Sequence, residues 1–228
     1  MARDAHARTY GAERGLNRFE GFSDAVFAIA LILLIVEIKV PGSPDGPHGY
    51  SDLVKAMAEQ WREDLALVLC YVVIGAYWLQ HHYTGRIYAR TDHGFGAINL
   101  VFLLAIVVIP YPIRVWCFHI GTRFEGSASI ALVAGLALTA CTWMGKWFYG
   151  RSGRRLMDDR LAPDFIGQMT RRYGTATLLQ IAAVPVAIAA PRFGVAIALA
   201  CVAFFLLPQP KPRYKPGEEP GTEEKLSE

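Results

Sequence analysis

An all-α membrane protein with six transmembrane helices per chain is the fold class this sequence predicts, and three observations predict it. Of the 228 residues, 53% are apolar and only 19% charged, and the mean hydropathy is positive. The apolar residues gather in blocks of about 20, the length of helix that crosses roughly 30 Å of hydrocarbon. Within each block both alternating sets of positions are apolar, unlike the in-out alternation of a membrane β-barrel. The blocks fall near 19–40, 65–81, 96–118, 127–149, 174–191 and 193–208, and only Pro191 and Arg192 divide the last two.

Residues 1–17 read as an N-terminal segment, 18–208 as one six-helix transmembrane domain and 209–228 as a tail. The first block is too long for the apolar core of a signal peptide, contains Asp24, and lacks a small-residue cleavage pattern. It is therefore expected to stay in the mature chain. After a Pro/Gly-rich turn, Leu53, Val54, Met57 and Trp61 recur at helical spacing behind a Ser-Asp start. That is the pattern of a short amphipathic helix leading into the second span. Pro110 and Pro112 in the third span and Pro185 in the fifth each remove a backbone donor. Each is expected to kink or locally break its helix. The basic loop 150–172 carries Asp158, Asp159 and Asp164 among its arginines, read as solvated ion pairs in a helix-turn connection. The tail is polar and proline-rich and is expected to be disordered.

An even number of spans puts both termini on one side. That side would hold 17 of the 23 Lys and Arg, Lys146 among them, against Lys39, Lys55, Arg62, Arg114, Arg123 and Arg192 on the other. The positive-inside rule then makes both termini of this multi-pass chain cytoplasmic. A net charge of +3 does not point to nucleic acid, and the lipid bilayer is the expected surrounding. Cys70, Cys117, Cys141 and Cys201 fall in four different spans, which argues against a disulfide framework or a zinc site. No metal or other cofactor is expected.

The first span carries the chemistry. On a helical wheel of about 100° per residue, Phe22, Ile29, Leu33 and Val36 fall in one apolar stripe with Ile32 at its edge. Asp24 and Ser23 lie well off that stripe, on either side of the opposite face. A carboxylate in hydrocarbon is costly without a partner, so Asp24 needs a donor from a neighbouring helix.

The run Arg18-x-x-x-Phe22-Ser23-Asp24, continuing as AVFAIALILLIVEIKVP with Glu37 and Pro41 near its end, resembles the first helix of the bacterial relatives of the lysosomal potassium channel TMEM175. The specific match spans 17–41, and the rest agrees in architecture and length. The resemblance implies a potassium channel built unlike ordinary ones, a homotetramer in the bacterial plasma membrane with its first helix lining a central pore. No TVGYG filter occurs in the sequence. Potassium, with other monovalent cations, would be the permeant ion. Carried over by spacing from the motif, Ile29 forms the first constriction, with Leu33 and Val36 beyond it. Some members have threonine where this chain has Ile32, which predicts a drier and less selective pore here. A narrow apolar ring favours potassium, which sheds its water more readily than sodium, and it can gate by dewetting. Glu37 is placed to concentrate cations at the pore mouth. Arg18, Ser23 and Asp24 then read as a polar clasp holding the pore helix, in preference to an ion ligand.

His81 and His82 are adjacent and point about 100° apart on a helix, which disfavours one metal between them. They read as interhelical hydrogen-bonding groups, one of them a partner for Asp24 or Ser23. Asn99 reads as a packing residue or as part of the clasp. Trp78, Trp116, Trp143 and Trp147 lie near predicted helix ends, as interfacial aromatic residues do. No nucleophile elbow, phosphate loop or thiol–histidine set is present, so the sequence gives an enzyme no support. A proton-coupled secondary transporter or exchanger is the alternative, although one unrepeated six-span unit fits it less well. A scaffold without transport is the third class.

Overall fold

The computed structural model describes residues 2–36, 38, 50–154 and 156–219, with side chains from residue 16 in the first stretch and from 53 in the second. Eight α-helices are described: α1 (Ala2–Val36), α2 (Tyr50–Glu59), α3 (Trp61–Gly85), α4 (His93–Val108), α5 (Pro110–His119), α6 (Glu125–Arg151), α7 (Pro163–Ala189) and α8 (Pro191–Leu206). Among the described residues, four segments are long and apolar enough to cross a membrane: Leu16–Val36, Trp61–Gly85, His93–His119 and Glu125–Arg154. The fifth and sixth apolar blocks are helical too. However, α7 opens on the polar run PDFIGQMTRR and α8 has 16 residues, so neither meets that criterion alone.

Local chemistry sets the breaks. Asp92 caps α4, accepting from the Phe95 backbone N at 2.8 Å. Pro110 occupies the first position of α5, so the third span divides at Ile109, as its prolines predict. At Pro185, expected to kink or break its helix, the helix is not broken and α7 runs on to Ala189. The proline lies in the final turns, where it removes one intrahelical bond and little helix follows. Ala190 alone separates α7 from α8, which return antiparallel. Gln180 Nε2 donates to the Ala198 carbonyl at 3.1 Å, and a Cβ on Gly194 would fall 2.5 Å from the Ala187 Cα. Such small-residue contacts let helices approach in lipid.

α6 is the centre of the bundle, packed against α4, α5, α7 and α8, while α1 lies at the edge on α3 and α4. Trp143 and Trp147 are buried core residues, not interfacial ones. Their rings meet Tyr173 edge-on at 5.6 and 4.9 Å, and the Trp147 indole N–H donates to Thr170 Oγ1 at 2.9 Å.

The tail also departs from expectation. Residues 209–219 are held to the bundle by an isolated bridge between Leu161 and Tyr214 and by the Lys215 N–H donating to the Arg160 carbonyl at 2.9 Å. Tyr83 Oη donates to the Pro210 carbonyl at 2.6 Å, and Arg213 meets Asp164 at 3.0 Å. Composition argued for disorder, but backbone pairing and these side chains supply the contacts it does not reveal. Residues 220–228 lie outside the described residues. Asp158 and Asp159 are ion-paired, with Arg160 at 2.8 Å and Arg90 at 3.0 Å.

Candidate functional site

The buried face of α1 carries Ser23, Phe27 and Leu34. Its other face carries Phe22, Ile29, Ile32, Leu33 and Val36, which are between 52% and 71% exposed in the single chain. The apolar stripe is thus turned away from the chain's own core. Only 17% of the most apolar stretch of α1 is buried, against 56% for α6. Glu37 lies outside the described residues.

Two hydrogen bonds tie α1 to its neighbours at one end of the bundle. Trp78 Nε1 of α3 donates to Asp24 Oδ1 at 3.0 Å. Asn99 Nδ2 of α4 donates to Ser23 Oγ at 2.9 Å, and that hydroxyl donates on to the Phe19 carbonyl at 3.1 Å. The charge-assisted bond to Asp24 and the buried amide–hydroxyl bond fix both the height and the rotation of α1. That rotation keeps the Ile29 stripe outward.

Neither histidine fills the role expected of one of them, since Asp24 is met by Trp78 and Ser23 by Asn99. Trp78 and His82, four residues apart, share a face of α3, and their rings stack at 5.5 Å. His81 points some 100° away, towards α6. It stacks on Phe27 at 5.7 Å, and its Nδ1 lies 3.0 Å from Lys146 Nζ. Arg18 and Phe22 are exposed.

Lys146 is the residue that sequence reasoning misplaced. Counted among the loop charges, it is in fact buried, at 2% exposure. Four rings surround its ammonium at 5.3 to 5.7 Å from their centroids: Phe19, Phe95, Phe102 and Trp143. Ring quadrupoles and the His81 nitrogen stand in for water around this cation. A signal was present, since Lys146 lies between Trp143 and Trp147 within an apolar block. Trp78 was likewise noticed only as an aromatic residue, because nothing in the sequence aims its N–H at Asp24. Glu20, half-buried, turns its carboxylate toward Gly85, where a Cβ would stand 2.6 Å from Oε1.

Between α1 and α3 runs an apolar groove of about 650 Å³, lined by Phe27, Leu31, Tyr71 and Leu79 with Asp24 and Trp78 beside them. The site as a whole therefore holds an apolar stripe facing outward and a polar anchorage behind it. That arrangement leaves a hydrophobic surface on the outside of the single chain.

The comparisons with known proteins agree with the family resemblance. Residues 18–110 match the model of a family described as the endosomal/lysosomal potassium channel TMEM175. A potassium channel of Streptomyces collinus is 34% identical over 146 residues, which make up 63% of this chain and 68% of that relative. A potassium channel of Chamaesiphon minutus is 29% identical over 160 residues, 68% of this chain and 76% of the relative. In fold, the chain is similar to the crystal structure of a lysosomal potassium-selective channel TMEM175 homolog from Chamaesiphon minutus. That likeness has a TM-score of 0.71 at 24% identity and covers 85% of this chain and 97% of the other. The chain belongs to the TMEM175 family.

Proposed function

We propose that this protein is a potassium-permeable cation channel in which four copies place α1 around a common pore in a bacterial plasma membrane. In this reading α7 and α8 complete six spans, and both termini face the cytoplasm. Ile29, Leu33 and Val36 form the constriction, Ile32 takes the place of a hydroxyl-bearing residue, and Glu37 stands at the mouth. The clasp of Ser23, Asp24, Trp78 and Asn99 holds the helix without touching the ion. The observation that carries the reading is the stripe itself, more than half exposed on a helix anchored through its opposite face. Four isoleucines around an axis leave little room for a hydrated ion, so permeation requires partial dehydration and the ring closes by dewetting.

The Ile29→Asn variant tests the assignment. Thallium or potassium flux into liposomes should rise by about tenfold, equivalent to roughly 1.4 kcal/mol off the barrier at a dry ring. Flux equal to wild type in Asn variants of Ile29 and Leu33 alike would remove α1 from the pore. One observation favours a proton-coupled exchanger instead, the buried Lys146–His81 pair. Replacing Lys146 by Met would then abolish flux coupled to a proton gradient, whereas a channel keeps passive potassium flux.

A further inference from the structure

α7 and α8 carry a second groove, of about 600 Å³, on a face of the bundle formed by these two helices and the tail. Its two ends differ in chemistry. Arg171, Arg172 and Gln168 line one end beside Pro210, and Leu179, Ile197 and Ala200 line the other. From Arg171 to Leu179 the groove follows α7 for about 12 Å.

Among the described residues, the arginines at the polar end stand out from their neighbours. Nearby, Arg160 is paired with Asp158, Arg90 with Asp159 and Arg213 with Asp164. Among the described residues no carboxylate pairs with Arg171 or Arg172. Arg171 is exposed. The Arg172 guanidinium lies 4.2 Å over the Phe204 ring, with Nε and Nη2 shielded and without an acceptor. Two guanidinium groups at the end of an apolar furrow match a phosphodiester joined to an acyl chain.

We propose that this groove binds an anionic phospholipid, its headgroup phosphate on Arg171 and Arg172 and an acyl chain along Leu179 and Ile197. Arg171 supplies the accessible charge, and a small rotation of Arg172 off Phe204 turns its Nε–Nη2 edge to the phosphate. The inference rests on α7 and α8 lying in the bilayer, and it is independent of whether α1 conducts.

The test uses the purified full-length protein reconstituted with equal parts phosphatidylglycerol and phosphatidylcholine, followed by native mass spectrometry of the lipids retained. Wild type should retain phosphatidylglycerol preferentially. The Arg171→Gln/Arg172→Gln variant should weaken that retention roughly thirtyfold, a factor of about five for each arginine lost. Leu179→Trp, which fills the groove and leaves the charges, should weaken it as well, while Arg123→Gln at the opposite end should not. Equal retention of the two lipids by wild type would overturn the proposal without calling on any variant. So would a Leu179→Trp protein whose oligomeric mass changes while its lipid count does not, since a second copy would then be the occupant. Because the readout is a lipid count and not a current, it can fail while the channel reading stands, and the reverse.

Discussion

At the scale of single residues, the clasp is a set of satisfied donors whose removal has a predictable cost. Trp78→Phe keeps an aromatic ring, smaller than indole, and deletes the N–H, leaving Asp24 Oδ1 without the bond it makes at 3.0 Å. Thermal unfolding of the purified protein should show a loss of about 1–3 kcal/mol, the penalty of stranding a partly buried charged acceptor. His82→Ala, which removes the stacked ring and leaves the hydrogen bond, should change little, because His82 is exposed. Equal losses in the two variants would mean that stacking, not the hydrogen bond, holds α1. The stripe and the motif were legible because both lie within one continuous stretch, where helical spacing alone sorts the faces. Trp78, Lys146 and Asn99 act through contacts made 54, 65 and 76 residues apart in the chain. No local pattern encodes those pairings.

Among elements, the hairpin of α7 and α8 depends on Gly194. A β-carbon there would fall 2.5 Å from Ala187 backbone and side-chain atoms, and a backbone cannot swing aside as a side chain can. Gly194→Val should destabilise by about 1–3 kcal/mol through overpacking. Gly145 of α6 meets nothing within 4 Å, so Gly145→Ala should be neutral or stabilise by up to about 1 kcal/mol through helix propensity. Comparative melting of the two variants checks both. The apolar blocks marked out the four segments long enough to cross a membrane and, beyond them, the helices α7 and α8, since block length follows directly from hydropathy. Their ends were harder to read. Pro110 divides its span and Pro185 does not; Pro110 and Pro112 together remove two donors within three residues, whereas Pro185 removes one.

The whole molecule is tied at one end by its tail, and the loop that receives the tail carries an ion pair that responds to acid. The Arg160 guanidinium beside Asp158 holds its carboxyl below the usual carboxylate range. A depressed value in the folded state means that this pair stabilises the fold above the ordinary carboxylate pKa of about 4. The contribution disappears as pH falls through the lower, folded value. Melting temperature should therefore be insensitive to this pair between about pH 5 and 7 and fall below about pH 4, with Asp158→Asn flattening the acid limb. A wild-type acid limb unchanged by that substitution would place the sensitivity elsewhere. Charge distribution was read from sequence for the whole molecule, and burial of Lys146 shows its weakness: a count of cations does not see which of them the core has enclosed. The folded tail was hidden for a similar reason, because Tyr83, Arg160 and Ala162, which bind it, lie far from it in sequence.

The central claim is that α1 lines a potassium-permeable pore, and single-channel recording in planar bilayers tests it most directly. With potassium on one side and sodium on the other, the account predicts discrete current steps whose reversal potential is shifted toward that of potassium. In Ile29→Asn the unitary conductance should rise and the shift shrink. Absence of steps, with ions crossing only by slow exchange coupled to protons, would contradict the account.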